Sequence, residues 1–158
     1  MFKKILVPLD GSELAAKILP HITELAKTFN AQVTLLHCCH TEAFGVGEAS
    51  PGVVAAAPEA EKKVCETFLS KTANDLKGQG VNVDFVCVEG VPPREIIAYA
   101  QKNNMDLIAM ASHGKGEVAW VLGSTAEKVV SHATVPVLIF RVMEVKPPML
   151  KEEFFLGA

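Results

Sequence analysis

No run of this 158-residue chain is apolar for long enough to span a bilayer, so no membrane segment is expected. The opening MFKKILVPLD has two lysines and a short apolar run, but Asp10 ends that run. It therefore reads as a buried strand rather than a signal peptide. Positive charge is not in excess either. A net charge of −3 and an isoelectric point near 5.9 leave no electrostatic case for nucleic acid as a partner. Charged residues are only 21 % against 49 % hydrophobic ones, which excludes a disordered chain and fits one compact core. Two phosphate-binding signatures are missing as well. There is no GxxxxGK[ST], and no GxGxxG follows the first apolar run.

Cysteine is sparse, at positions 38, 39, 65 and 87, with no CxxC spacing. Reduced thiols are the default expectation for that pattern. The string HCCH at 37–40 resembles a metal cluster in outline. Alternation along a strand, however, sends His37 and Cys39 to one side and Cys38 and His40 to the other. No metal site is expected from the string alone.

What is present is a regular alternation. KKILVPL at 3–9, AQVTLLHC at 31–38, VNVDFVCVE at 81–89, MDLIAMA at 105–111 and VPVLIFRV at 135–142 read as strands. Between them lie helical patterns. The first is capped by Ser12 and presents Ala15, Ile18, Leu19, Ile22, Leu25, Ala26 and Phe29, with Pro20 bending it or starting a second segment. The second opens at Pro58 with a stripe of Val64, Phe68, Leu69, Thr72 and Leu76. VPPREIIAYAQKNN and GSTAEKVVSHA supply the others. This order predicts an α/β domain, a five-stranded parallel sheet with helices on both faces. One domain is expected over 1–142, with a mobile Gly/Ala/Ser/Pro-rich loop at 41–57 and a flexible tail at 143–158.

In such a sheet ligands sit beyond the carboxyl ends of the strands, where the strand order reverses. The loop after the first strand offers Pro8, Leu9 and Asp10. Asp10 suits a ribose hydroxyl or an adenine amine, and equally suits capping beside Ser12. The loop after the fourth strand runs from Ala111 to Thr125. Gly114 and Gly116 allow close backbone approach to an anion, and Gly123, Ser124 and Thr125 open a helix whose N-terminus favours negative charge. His113 has no evident triad partner and reads as a loop-orienting or phosphate-touching group. Lys115 is the cation in that loop able to reach an anion, though an exposed lysine more often faces solvent, and Trp120 reads as a packing anchor. No catalytic residue is assigned.

KKILVPLDGSELA, VTLLHC, DLIAMASHGKG and LGSTAEKVVSHATVPVLIF, in this order and at these separations, resemble a single-domain universal stress protein over residues 2–142. The resemblance implies a flavodoxin-like, adenine nucleotide alpha hydrolase-like sheet of strand order 3-2-1-4-5. It also implies a cytosolic stress-response protein that forms a homodimer through the last strand, residues 135–142. An apolar edge strand is an association site on physical grounds too. Many members bind ATP through G-x-x-G, nine residues, then G-[ST]. Carried onto this chain, adenine contacts fall on Pro8, Leu9, Asp10, Cys38 and Met110. Phosphate and ribose contacts fall on Ala111, His113, Gly114, Gly123, Ser124 and Thr125. ATP, ADP or AMP is the implied ligand, with Mg²⁺ as a companion, and hydrolysis is expected to be slow at most. Two departures stand out: Ala111 replaces the first glycine, and eight residues rather than nine separate Gly114 from Gly123. The rival expectation is a dimeric interaction module of the family's non-ATP-binding branch, its site closed. An adenylating or ATP-pyrophosphatase enzyme would need an SGGxDS-like loop, which LDGSE does not supply.

Overall fold

The computed structural model describes residues 1–39, 58–114 and 121–142. The 41–57 loop, His40, Lys115, Gly116, Trp120 and the 143–158 tail lie outside the described residues.

Five strands, β1 (Lys4–Pro8), β2 (Gln32–Cys39), β3 (Asn82–Glu89), β4 (Leu107–Ala111) and β5 (Val137–Phe140), form one parallel sheet in the order β3-β2-β1-β4-β5. The helices are α1 (Glu13–Ala16), α2 (Leu19–Phe29), α3 (Pro58–Gly78), α4 (Pro92–Lys102) and α5 (Ser124–His132). The expected alternation and strand order are both found, with the first helical pattern divided into α1 and α2. Pro20 sits in the first turn of α2, where its missing N–H costs no helical hydrogen bond. It starts a second segment rather than kinking one helix.

Strand alternation divides the core in two. Ile5, Val7, Val33, Leu35 and Ala109 face one side, packed by Ile18, Ile22, Ala26, Leu69 and Leu76 from the first three helices and their junctions. Leu6, Leu36, Ile108 and Met110 face the other, against Ile96 and Ala100 of α4 and Ala126 and Val129 of α5. All five residues of β4 are buried, as an uninterrupted apolar strand between two helix layers requires. Burying each of these large side chains stabilises the fold by about 1.5–3 kcal/mol relative to exposure. Among the described residues no helix is long and apolar enough to cross a membrane.

Two expectations are corrected. The α3 stripe holds at Leu69 and Leu76, which are buried, and at Phe68, which packs against the core. Val64, however, is 70 % exposed, and Cys65 and Ala73 complete the buried face instead. Small Cys65 and Ala73 let the helix lie close on β2 and β3, which a β-branched valine at the contact would hold away. Nor are all the cysteines free thiols, because Cys65 on α3 and Cys87 on β3 form a disulfide. Cys38 and Cys39 are free.

Candidate functional site

Strand β1 pairs with β2 on one side and β4 on the other, so the chain reverses its direction of winding between β1 and β4. That reversal opens a crevice at their carboxyl ends. A cavity of about 580 Å³ lies there, within the range of small-molecule sites.

On the β1 side, Asp10, Gly11 and Ser12 make a tight turn. Gly11 has φ +84°, a conformation that side chains rarely adopt. Asp10 Oδ1 accepts from the Ser12 backbone N–H at 2.9 Å and from its hydroxyl at 2.5 Å. Ser12 Oγ in turn accepts from Ala15 N–H at 3.1 Å and caps α1. Local capping therefore occupies one carboxylate oxygen. The other, Oδ2, faces the β4 loop at Gly114: a Cβ built there would overlap Oδ2 and lie 3.4 Å from Cγ. The two loops meet at Asp10 and Gly114, and only glycine lets them close this far without moving the carboxylate.

A buried relay holds the β4 side. Ser112 and His113 are 0 % and 2 % exposed. The Val142 N–H donates to Ser112 Oγ at 3.2 Å, and the Ser112 hydroxyl donates to His113 Nδ1 at 2.7 Å. His113 Nε2–H donates to the Val121 carbonyl in a short contact. Because a carbonyl only accepts, the ring proton sits on Nε2 and Nδ1 accepts the hydrogen bond from the serine hydroxyl. Backbone bonds from Gly123 N–H to Ser112 O (2.9 Å) and Ser112 N–H to Phe140 O (2.8 Å) complete the frame. Both ring nitrogens of His113 are thus spent on the protein. The histidine is a clamp between the two ends of the loop, in keeping with the orienting role read from the sequence.

Helix α5 begins after Gly123, whose lack of a side chain leaves the first turn without a side-chain cap. Thr125 and Ala126 of that turn line the cavity, whereas Gly123 and Ser124 do not. The other expected residues, Pro8, Leu9, Asp10, Cys38, Met110, Ala111, His113 and Gly114, all line it. Ala111 is one of its walls, so the methyl group in the place of a glycine leaves the cavity present. Cys38 Sγ donates to Gly90 O at 3.0 Å. Burial, with smaller contributions from Glu95 and Cys39, pushes its thiol up to about 11. At neutral pH Cys38 is a protonated wall group, not a nucleophile.

Sequence reasoning misses the cavity's far wall, formed by Leu36, His37, Pro92 and Ile96. Pro92 and Ile96 come from the opening turns of α4, which no motif marks. His37 draws notice in the sequence only as part of HCCH, yet its Nδ1–H donates to Leu9 O at 2.8 Å and helps fix the β1 end.

Among the described residues the cavity has an apolar wall, one carboxylate, that of Asp10, and a helix start without a side-chain cap. The model of the universal stress protein family matches residues 1–141. A universal stress protein of Methanocaldococcus jannaschii is 34 % identical over 142 residues, covering 89 % of this chain and 83 % of the relative. Among solved structures, universal stress protein UspA from Lactobacillus plantarum matches with a TM-score of 0.76 at 24 % identity, over 89 % of this chain and 98 % of that one. The universal stress protein from Archaeoglobus fulgidus in complex with dAMP matches at 0.62 and 21 % identity, over 88 % and 98 %. The two structural likenesses bear on the fold.

Proposed function

We propose that this chain, which belongs to the universal stress protein family, binds an adenine nucleotide in the cavity at the ends of β1 and β4. The carrying observation is the meeting of Asp10 and Gly114 at the mouth of that cavity. In this reading the base lies against the apolar wall of Pro8, Leu36, Ile96 and Met110, with Cys38 beside it. Asp10 takes a ribose hydroxyl or the adenine amine. The phosphates face the Gly114 backbone and the first turn of α5, where Thr125 lines the cavity and the helix N-terminus favours an anion. Gly123 and Ser124, outside the lining, are reached only by phosphates that extend past it. The dAMP named with the Archaeoglobus fulgidus relative supports the ligand class. ATP is the expected form, with ADP and AMP using the same donors, and Mg²⁺ would neutralise phosphate charge.

Binding stabilises the folded state by about 2.7 kcal/mol at one hundred times Kd. A thermal-shift series on nucleotide-free protein is therefore expected to show a rise in Tm with ATP, ADP and AMP, and a smaller one with GTP. Equal shifts with all four would contradict an adenine site, and no shift at millimolar ATP would favour the closed, nucleotide-free module.

The role that fits is regulatory rather than catalytic: a nucleotide held between the β1 and β4 ends changes the surface offered to partners. The cytoplasm is the expected location. We also propose a homodimer through residues 135–142. Strand β5 is the sheet's outer strand on that side, and Val137–Phe140 are only half-buried in the single chain. Sedimentation equilibrium at twice the chain mass is the expected result, and monomer at micromolar concentration the contrary one.

A further inference from the structure

On the α3 side of the sheet a second cluster forms from distant parts of the chain. A ring nitrogen of His37 and the sulfurs of Cys39 and Cys65 lie within 4.8 Å of one another. Cys65 is bonded to Cys87, a residue 22 positions further on. In the β2–β3 ladder His37 is the register partner of Cys87, and Cys39 lies two residues along β2. All three strand residues therefore project to one face. Helix α3 packs over that face and brings Cys65 down onto it; Cys65 and Cys39 are 3 % and 6 % exposed.

We propose that reduction of the Cys65–Cys87 disulfide converts this cluster into a Cys₃His zinc site formed by His37, Cys39, Cys65 and Cys87. Three thiolates and one imidazole are a recurrent ligand set of closed, four-coordinate zinc centres. The tautomer of His37 also fits. Its Nδ1–H donates to the Leu9 carbonyl, which leaves Nε2 with the lone pair, and a backbone carbonyl is a common partner for the non-ligating nitrogen. With Zn–S near 2.3 Å, tetrahedral ligand atoms stand roughly 3.8 Å apart. From 4.8 Å the side chains need to close by about an ångström, which is within reach of rotamer adjustment.

The chemistry balances through a dithiol reductant. Its two thiols are oxidised to one disulfide, the S–S bond of Cys65–Cys87 breaks, and each released sulfur takes one proton. Zinc then displaces the protons of Cys39, Cys65 and Cys87 to solvent, while His37 adds a neutral lone pair. In the oxidised chain two of the four ligands are tied to each other, so zinc is excluded. The cluster is thereby a redox-gated metal site, and His37, which also lines the β1–β4 cavity, is the residue it shares with the nucleotide reading.

Full-length chain, reduced by a dithiol that is then removed under anaerobic conditions, is titrated with Co²⁺ and back-titrated with Zn²⁺. One Co²⁺ per reduced chain is expected, with tetrahedral visible bands and a thiolate charge-transfer band, all abolished by Zn²⁺. Oxidised chain should show none. Cys39→Ser and Cys87→Ser should each weaken binding by at least about 10-fold, and Cys38→Ser, on the opposite face, should not. Far-ultraviolet circular dichroism accompanies each titration. Reduced chain that unfolds without metal and refolds on adding zinc supports the site. Absence of the thiolate band in reduced chain, folded or not, overturns it, as does equal binding by Cys39→Ser or loss of binding in Cys38→Ser.

Discussion

Gly114→Ala is expected to weaken nucleotide binding by about 10- to 100-fold while leaving the fold intact. The added methyl group would occupy the space of Asp10 Oδ2. Gly114 is not in a left-handed conformation, so the backbone accepts alanine and the carboxylate is the group that yields. Turning that side chain away removes one charge-assisted hydrogen bond to the ligand, worth about 1.5–3 kcal/mol. Each 1.4 kcal/mol is a factor of about ten in affinity. The size of the effect should match that of Asp10→Ala, and the double variant should add little, because both changes remove the same contact. Calorimetry on the three variants checks this. A Gly114→Ala protein that binds as tightly as the parent would mean that Asp10 does not touch the ligand.

His113→Ala carries the largest expected effect on stability. The substitution deletes a buried ring and the partners of the Ser112 hydroxyl and the Val121 carbonyl. A buried polar group without a partner costs about 1–3 kcal/mol, and the vacated ring volume adds a cavity cost. A loss of about 3 kcal/mol corresponds to a fall in Tm of roughly 6–12 °C for a chain of this size. Nucleotide binding should fall with it, since the clamp ties Ser112 and Val121, the flanks of the β4–α5 loop. Differential scanning calorimetry decides: a Tm within about 2 °C of the parent would show that the relay does not hold the loop.

Much of the fold is legible in the sequence. The alternation of short β-branched runs with helical stripes names every strand and every helical region, though not the break between α1 and α2, and MDLIAMA announces a strand buried on both faces. Asp10 and Gly114 stand out because each sits just past an apolar strand, where chain chemistry changes abruptly. What the sequence does not show comes from contacts between segments far apart in the chain. Periodicity places Val64 in the α3 stripe, because hydrophobicity alone cannot say how closely a helix approaches its sheet; Cys65 and Ala73 take that face. The pairing of Cys65 with Cys87 depends on α3 lying over β3, and no spacing rule reports it. Alternation divides HCCH between two faces, yet the neighbours of His37 and Cys39 lie elsewhere in the chain. Pro92 and Ile96 line the cavity only because α4 begins beside β2's end.

The central claim, an adenine nucleotide held between the β1 and β4 loops, is tested most directly by isothermal titration calorimetry. Nucleotide-stripped full-length protein is titrated with ATP in the presence of Mg²⁺, beside Asp10→Ala. One site per chain, weakened about 10-fold or more in the variant, is the predicted result. No heat at millimolar ATP, or identical binding by Asp10→Ala, would contradict it.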